Sequence, residues 1–585
     1  MIKTCPLSAR LLTLVCLVLT PGLPAPALAQ NQAPDAATGA TTKTLARAKH
    51  HMVAAANPLA AEAGRAMLRQ GGSAIDAAIA TQMVLNLVEP QSSGIGGGAF
   101  IVYWSAREKR ITSYDGRETA PASAKPDRFL GADGKPMRFY DAVVGGRSVG
   151  VPGVLRMLEM AHKAHGRLPW ARLFEPAIRL STEGFAISPR LYGLLKDEAH
   201  LPKSPTAKDY FYNPDGAPKA VGTRLANPAL AETLSAIAKG GAEAFYAGPI
   251  AADMVRTVRE AANAGDLTLA DLAEYRAKER PAVCGPYRRY EICGMGPPSS
   301  GGITLLQILG ILDGFALKPL KPPSVAAAHL LSEAERLAYA DRGLYIADPD
   351  VVAVPVRGMI DAAYLKSRAR LIRADASMKR AAPGQPPLLA GRLWGNDDAL
   401  ELPSTSHMSI VDDAGNALSM TTTIEDQFGS RLMVRGFLLN NQLTDFSFAP
   451  VEDGKPVANR VEASKRPRSS MSPSILFDRH RHLAMVIGSP GGSAIINYVA
   501  KAIVAWADWR YDIQAAIDLP LVGSRNSVTE LETASTAPAL AASLKAMGHE
   551  TRISEFTSGL HGIAVTRTGL LGGADPRREG VALGD

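Results

Sequence analysis

Apolar and polar positions follow two different periods along the chain, and each change of period predicts a change of secondary structure. Residues 51–88 carry alanine-rich apolar positions at helical spacing, interrupted at Gly71, Gly72 and Ser73, which predicts two helices divided by a turn. The segments AFIVYW and RITSYD that follow are typical of strands, and residues 153–166 return to the helical period. The chain therefore mixes helices and strands, without an internal repeat.

A hairpin is the clearest pattern of the C-terminal third. The segments SHMSIV and ALSMTTTI alternate with period two around the turn residues DDAGN. Further on, LAMVIG predicts a buried strand, SPGGS a tight turn, and AIINYVAKAIVAWADW a helix with Ile495, Val499 and Ile503 on one face. These elements predict an α/β (α+β) fold in which antiparallel hairpins stack against helices.

Composition excludes two classes of protein. With 585 residues, 46% hydrophobic and 21% charged, the chain can bury a large core and is not disordered. The formal charge of +8 comes from basic residues dispersed among nearly as many acids, without the interleaved aromatic residues of a stacking platform. We therefore expect no nucleic-acid partner.

The N-terminus has the features of an export signal. Lys3 and Arg10 precede the apolar run LLTLVCLVL, and Ala27 and Ala29 have the small-x-small spacing of a signal-peptidase site. Prolines end the run well before the roughly 20 residues that a membrane-spanning helix needs. We expect a signal peptide at residues 1–29, a flexible leader at 30–45, no membrane anchor after cleavage, and a periplasmic or secreted protein.

Two cysteines remain after such a cleavage, in the segment CGPYRRYEIC. A two-residue turn at Arg288 and Arg289 places Cys284 opposite Cys293 in a non-hydrogen-bonded pair, within disulfide reach. Two free thiols are the alternative, and an oxidising compartment favours the bridge. The 11 histidines show no metal-ligand spacing, so the sequence predicts neither a metal site nor a cofactor.

Two glycine-rich segments suggest ligand binding. Gly94, Gly96 and Ala99 have the spacing of a dinucleotide fingerprint, but a strand follows them instead of preceding them, which favours a packing role. The segment GSPGGS lies between a strand and a helix. It is either an ordinary turn or, with a nucleophile nearby, a source of backbone N–H groups for an oxyanion.

Thr405 is a candidate nucleophile at the head of the predicted hairpin. A threonine hydroxyl is activated most simply by a free α-amino group on the same residue, and that requires cleavage of the Ser404–Thr405 bond. A hydroxyl-rich loop without chemistry is the alternative that spacing alone leaves open.

Eleven segments match one protein family in order and spacing. Upstream they are EPQSSGIGGGAF, DGRETAP, SVGVPG, PPSSGGI and AYADRGLYIADPD; downstream they are TSHMSIVDDAGNALSMTTTI, FGS, GFLLNNQLTDFS, KRPRSSMSPSI, GSPGGS and GGADPR. On these motifs, which cover residues 45–580, the chain resembles the γ-glutamyltransferases, also called glutathione hydrolases.

The resemblance implies an αββα four-layer sandwich of the N-terminal nucleophile hydrolase type, made as one precursor that cuts itself. Thr405 would attack the carbonyl of Ser404, the peptide would become an ester, and water would release the new terminal amine. The cut would separate a large subunit, residues 46–404, from a small catalytic subunit, residues 405–585, and the two would stay together as a heterodimer.

The resemblance also implies the site residues. The catalytic set is Thr405 as nucleophile, Thr423 as its hydrogen-bond partner, and Gly491 and Gly492 as oxyanion donors. The substrate-binding set is Arg117, Ser469 and Ser470 for the α-carboxylate, and Gln442 and Asp445 for the α-ammonium. An arginine suits the first task because its guanidinium binds a carboxylate through two parallel hydrogen bonds.

Two features depart from the family pattern. Glu425 stands where better-known members carry an asparagine near the substrate amine, so we include it in the binding site. The segment 446–468 is shorter than the lid of many members and contains no tyrosine.

The expected partners are γ-glutamyl donors such as glutathione, and amino-acid or peptide acceptors. One alternative is a glutaryl or cephalosporin-type acylase of the same fold, although Asp445 would be wasted on a donor without an α-ammonium. An alternative from another class is a periplasmic solute-binding protein, which size and export allow.

Overall fold

The computed structural model describes residues 1, 41–387, 394–397, 399, 401, 402 and 404–585. The predicted signal peptide beyond residue 1 and residues 30–40 of the predicted leader lie outside the described residues. At the end of the leader, the backbone N–H of Thr41 donates to the carbonyl of Pro576 at 2.9 Å. The first strand begins at Ala46.

Two seven-stranded sheets form the centre of the molecule. In order across the first sheet the strands are Ala46–Ala48, Gly569–Ala574, His561–Thr566, Leu483–Gly488, Ser474–Asp478, Tyr290–Gly294 and Val283–Tyr287. In the second they are Val581–Gly584, Met52–Ala55, Thr405–Val411, Ala417–Thr423, Gly98–Ser105, Arg110–Gly116 and Lys278–Arg280. Every neighbouring pair within these two sheets is antiparallel.

The period of two in the strand Gly98–Ser105 shows how the layers are arranged. Ile101 and Tyr103 belong to a hydrophobic cluster with the helices Pro58–Arg69 and Ala74–Val88. Phe100 and Trp104 face the other sheet, where the Trp104 ring lies 4.7 Å from that of Phe477. Successive side chains of a strand point to opposite faces, so this strand contacts a helical layer on one side and a sheet on the other.

Helices cover the outer face of the first sheet in the same way. Ile495–Ala507 and Gly301–Leu312 share a core with Met485 and Ile487 of that sheet, and Val325–Tyr345 packs against Gly301–Leu312. The order helix, sheet, sheet, helix is the αββα sandwich that the resemblance implied.

The remaining elements surround this centre. The other α-helices are Phe139–Val143, Val154–His165, Glu175–Glu183, Pro189–Asp197, Pro205–Phe211, Pro228–Gly240, Glu243–Tyr246, Gly248–Arg259, Leu269–Glu274, Val356–Met359, Ala362–Ala369, Ile513–Asp518 and Ala537–Ala546. The other strands are Phe185–Ala186, Arg224–Leu225, Met433–Val434, Phe437–Leu438, Val451–Glu452, Lys455–Pro456, Val522–Ser524, Thr529–Glu532 and Thr551–Ser554. In the described part of the chain, no helix is both long and apolar enough to cross a membrane.

Several predictions of local structure are confirmed. The two alanine-rich helices are separated at residues 70–73, and Ser73 caps the second one by accepting from the backbone N–H of Asp76. The start of the predicted helical segment was wrong, because Met52–Ala55 is a strand that pairs with Thr405–Val411. A short, fully buried apolar run is compatible with a strand as well as with a helix. Gly96 packs closely as expected, because a Cβ there would lie 2.2 Å from the carbonyl oxygen of Leu438. The strand Gly98–Ser105 follows these glycines, as predicted, whereas a dinucleotide fingerprint follows a strand and begins a helix.

The hairpin around Arg288 and Arg289 has the predicted register, with Cys284 opposite Cys293 and Tyr287 opposite Tyr290. The two cysteines form a disulfide across a Cα–Cα distance of 4.1 Å. Arg288 has a φ of +54°, as residues of a tight hairpin turn often do.

Candidate active site

Thr405 begins the strand Thr405–Val411, directly opposite Thr423 at the end of the neighbouring strand. Both side chains are buried. The register follows from the hairpin, since the turn after Asp412 fixes which residues of the two strands face each other. The fold therefore holds two hydroxyls together at one end of the central sheet.

These hydroxyls form a short chain of hydrogen bonds. The hydroxyl of Thr405 donates to Oγ1 of Thr423 at 3.4 Å, and the hydroxyl of Thr423 donates to the carbonyl oxygen of Ser404 at 2.7 Å. The backbone N–H of Glu425 donates to the same Oγ1 at 2.8 Å, which orients the Thr423 hydroxyl. A hydroxyl aimed at the carbonyl draws electrons from the carbon that Thr405 would attack.

The glycine pair follows the strand Leu483–Gly488, as predicted. Gly491 and Gly492 have φ values of +136° and +56°, which an L-residue with a side chain rarely adopts. A Cβ on Gly492 would lie 2.8 Å from the carbonyl of Leu402, so this position also needs glycine for space. Gly492 lines the same cavity as Thr405, whereas Gly491 packs beside Tyr498.

One cavity of about 260 Å³ brings the predicted site together. Its lining includes nine predicted residues, namely Thr405, Thr423, Gly492, Arg117, Glu425, Gln442, Asp445, Ser469 and Ser470. Four further lining residues, Glu401, Leu402, Met471 and Ile495, were not predicted. Residues as far apart in sequence as Arg117 and Ile495 thus meet at the head of the hairpin.

Arg117 is fully buried beside the cavity. Its Nη2 donates to Oδ2 of Asp445 at 2.5 Å and to the carbonyl of Arg468 at 2.7 Å, and its Nε donates to the carbonyl of Pro467 at 3.1 Å. Within the described residues its Nη1 makes no hydrogen bond, and Oε2 of Glu118 lies 3.8 Å away. The guanidinium is therefore fixed in place with donor capacity left for an anion.

Asp445 accepts from Gln442 Nε2 at 2.7 Å as well as from Arg117, so the two residues predicted to bind an ammonium are already in contact. Burial raises the pKa of Asp445 to about 6, and the negative charge of Glu401 adds to the effect, while Arg117 opposes it. A cation that enters the cavity would therefore stabilise the ionised form of the Asp445 carboxylate.

Glu425 places a second carboxylate in the cavity. It accepts from the side-chain amide of Asn441, and from the backbone N–H of Leu402 at 3.4 Å. Burial raises the pKa of Glu425 well above its usual range, and the charges of Asp445 and Asp426 raise it further. Ionising both of two neighbouring carboxyl groups costs free energy, because their negative charges repel each other.

Ser469 and Ser470 line the cavity, but Ser470 is already engaged. Its hydroxyl donates to Glu401 and accepts from Nη2 of Arg342 at 2.6 Å. Arg342 also donates to Glu401, and Nη2 of Arg468 lies 3.5 Å from it. Although burial by itself raises the pKa of Glu401, the two arginines hold it below its usual value.

Glu401 lines the cavity and Arg342 contacts Glu401, and sequence reasoning predicted neither residue. Glu401 lies four residues before Thr405, and this proximity is the sequence signal that could have placed Glu401 in the site. Arg342 lies within the family-like segment AYADRGLYIADPD. Nothing local in the sequence shows that these two side chains meet at Ser470, because 59 residues separate them.

An αββα sandwich with a threonine hydroxyl at the head of a central strand is typical of the N-terminal nucleophile hydrolases. The chain belongs to one family within it: the model described as Gamma-glutamyltranspeptidase matches residues 60–585. The chain is therefore an enzyme of the γ-glutamyltransferase, or glutathione hydrolase, family, which excludes the solute-binding protein.

Similar proteins include both glutathione hydrolases and acylases. The chain is 38% identical over 554 residues to a glutathione hydrolase proenzyme of Bacillus subtilis, with 92% of each chain covered. It is 35% identical over 533 residues to an acylase ACY 1 proenzyme of a Pseudomonas species, covering 89% of this chain and 91% of the relative. Among solved structures, a cephalosporin acylase from Bacillus halodurans superposes with a TM-score of 0.81 at 27% identity, covering 94% of this chain and 99% of the other.

Proposed function

We propose that the protein is an exported, self-cleaving γ-glutamyl hydrolase or transferase that acts on glutathione and related γ-glutamyl compounds. The observation that carries the proposal is the hydrogen-bond chain from Thr405 through Thr423 to the carbonyl of Ser404. It supports the proposal because the hydroxyls of Thr405 and Thr423 and the carbonyl of Ser404 are linked by hydrogen bonds.

Self-cleavage is the first reaction of the proposal. Oγ1 of Thr405 attacks the carbonyl carbon of Ser404, and the hydroxyl of Thr423 stabilises the negative oxygen that forms. The C–N bond breaks, the nitrogen becomes the amine of Thr405, and the ester is hydrolysed by water. The products are two chains that remain associated, one with the leader and the large subunit, residues 30–404, and the other the small subunit, residues 405–585.

Turnover uses the amine released by that cut. The α-amine of Thr405 takes the proton of its own hydroxyl, and the oxygen attacks the γ-glutamyl amide to give an acyl-enzyme. Gly491 and Gly492 supply N–H groups to the oxyanion. Water or the amine of an amino acid or peptide then releases the glutamyl group, and no cofactor takes part in these steps.

Recognition of the donor uses the charged side of the cavity. The guanidinium of Arg117 and the hydroxyl of Ser469 serve the α-carboxylate, together with Ser470. Asp445, Gln442 and Glu425 surround the α-ammonium. A donor with an α-carboxylate and an α-ammonium contacts both sets of residues. We therefore expect γ-glutamyl donors to be preferred over glutaryl donors, which lack the ammonium.

A cephalosporin-type acylase is the second candidate, because both an acylase relative and an acylase structure match almost the whole chain. A glutaryl side chain offers a carboxylate to Arg117 and nothing to Asp445 or Glu425. The two candidates therefore differ in whether the α-ammonium is required.

One experiment tests the proposal and separates the candidates. Purified protein is assayed against matched pairs of γ-glutamyl and glutaryl amides, including glutathione and a glutaryl β-lactam. We expect kcat/KM to be higher for every γ-glutamyl member of a pair, whereas consistently faster glutaryl cleavage would identify an acylase. N-terminal sequencing of the same material checks processing, with TSHMS expected for the smaller chain and a start at Gln30 for the exported larger one.

A further inference from the structure

Three metal-ligating side chains meet at a place that is not part of the cavity. His329 and Glu333 lie one turn apart on the helix Val325–Tyr345, and His549 follows the helix Ala537–Ala546. Nδ1 of His329 is 2.8 Å from Nε2 of His549, which is 4.0 Å from Oε1 of Glu333. Within the described residues this is the one such group whose three ligand atoms lie within 4.8 Å of one another.

The outer ring nitrogens are held by oxygen atoms. Nε2 of His329 is 2.6 Å from the backbone carbonyl of Arg373, which can only accept, so this nitrogen carries the hydrogen. Nδ1 of His549 is 2.8 Å from Oγ1 of Thr529. If the Thr529 hydroxyl donates to His549, Nε2 of His549 carries a hydrogen and donates to Nδ1 of His329. If His549 instead donates to Thr529, the inner nitrogens of both rings carry lone pairs that can bind one cation.

The carboxylate of Glu333 is oriented by its own partners. Oε1 accepts from Nε of Arg336 at 3.0 Å and from Oγ of Ser377 at 2.9 Å, and Oε2 accepts from the backbone N–H of Met378 at 2.7 Å. Outer hydrogen bonds of this kind fix the ligands of protein metal sites. All three ligands are buried, so bulk water does not compete for them.

We propose that His329, Glu333 and His549 bind one divalent transition-metal ion of the zinc class. Two imidazole nitrogens and one carboxylate oxygen suit zinc, whereas calcium and magnesium prefer oxygen donors throughout. In tetrahedral zinc with bonds of about 2.1 Å, the donor atoms lie about 3.4 Å apart. To bind the ion, Nδ1 of His329 and Nε2 of His549 would have to move apart by about half an ångström, and the carboxylate of Glu333 would have to move towards His549 by about the same distance. Water completes the coordination, and any proton shared by the inner nitrogens is released.

The ion has a structural role. His329 and Glu333 precede Thr405 in sequence and His549 follows it, so the metal joins the two segments that self-cleavage would separate. None of its ligands lines the cavity that holds Thr405.

Zinc binding to the tag-free, full-length protein is the direct test. After treatment with a chelator and dialysis, we expect the protein to take up one equivalent of Zn²⁺ and to unfold at a higher temperature. The affinity should fall by about 100-fold in His329→Ala and in His549→Ala, since each removes a ligand. The double variant His480→Ala/His482→Ala removes two exposed histidines beside Asp478 and should bind zinc normally.

X-ray absorption of the zinc-loaded unaltered protein does not depend on whether the variants fold. We expect two imidazole ligands and oxygen in the first shell. The proposal is overturned if the unaltered protein binds no zinc at micromolar concentration, if only the His480/His482 variant loses the ion, or if coordination involves oxygen alone. In those cases a proton shared between His329 and His549 occupies the position assigned to the metal.

Discussion

The two sides of the active-site cavity differ in how they use charge. On the nucleophile side, Thr405, Thr423 and Gly492 offer neutral hydroxyls and backbone N–H groups. On the recognition side, Arg117, Asp445, Glu425 and Glu401 are ionisable and buried. Reaction therefore depends on a few hydroxyl contacts, and recognition depends on a balance among buried charges.

This difference separates two kinds of defect. In the proposed mechanism, removing the hydroxyl of Thr405 abolishes the reaction for every donor, because nothing else supplies the attacking oxygen. Changing a charge on the recognition side alters which donor is preferred and how the preference varies with pH. Measurements on matched donors can therefore test each side separately.

The largest expected effect is that of Thr405→Ala. The variant should remain a single chain on denaturing gels and lose at least about 10⁴-fold in kcat, since the nucleophile is absent. Thr405→Ser keeps an oxygen in place and should still be cut, more slowly. An uncut chain with full activity would falsify both the processing step and the mechanism.

Asp445→Asn should have the next largest effect. Losing one charge-assisted hydrogen bond to the α-ammonium removes about 1.5 to 3 kcal/mol, so kcat/KM for a γ-glutamyl anilide should fall by about 10- to 100-fold. The glutaryl anilide, which lacks the ammonium, is the internal control and should be affected much less. Equal losses for both donors would mean that Asp445 acts only by holding Arg117.

Glu425→Asn should change the ratio between these two donors by several-fold, towards the glutaryl anilide. The pKa of Glu425 is raised in the empty cavity, chiefly by burial, so below that pKa the group is protonated and does not attract an ammonium. Binding of the γ-glutamyl donor should therefore weaken as pH falls, and the dependence should be shallower in the variant. An unchanged ratio and pH profile would place Glu425 away from the amine.

The same raised pKa predicts an effect on stability with a definite sign. The folded protein binds more protons than the unfolded chain between the ordinary glutamate pKa and the raised one, so stability falls as pH rises through that window. Glu425→Gln should reduce this fall. Thermal unfolding of both proteins at several pH values measures it, and parallel curves would count against the assignment.

The disulfide should have the smallest effect on catalysis, because it lies outside the cavity. Replacing Cys284 and Cys293 with serine should leave kcat/KM unchanged and lower the free energy of unfolding by about 2 to 3 kcal/mol, as expected for a short loop. Mass spectrometry of alkylated, non-reduced protein checks the bridge. Two alkylated thiols in freshly exported protein would contradict it.

Much of the fold could be predicted because its signals are local. Three of these signals lie in single short segments of the sequence. They are the hairpin at Thr405, the break between the first two helices, and the register at Arg288 and Arg289. The site residues required the family resemblance, since Arg117 and Asp445 are 328 positions apart. Spacing alone left Thr405 indistinguishable from an ordinary loop threonine.

The unpredicted contacts are those between distant residues with no shared motif. Glu401 precedes Thr405 closely, but its partner Arg342 comes from a helix in another layer. His329 and His549 are separated by 220 positions, so their contact leaves no pattern in the sequence. Such contacts arise from the packing of whole layers, which periodicity does not specify.

Both central sheets contain strands from before Thr405 and strands from Thr405 onward. Ala46–Ala48 pairs with Gly569–Ala574, and Met52–Ala55 pairs with Thr405–Val411 on one side and Val581–Gly584 on the other. Separating the two segments would break main-chain hydrogen bonds in both sheets, which amounts to unfolding the protein. Activity per molecule should therefore be independent of protein concentration even at extreme dilution, and fragments produced from two separate genes should combine only when they fold together.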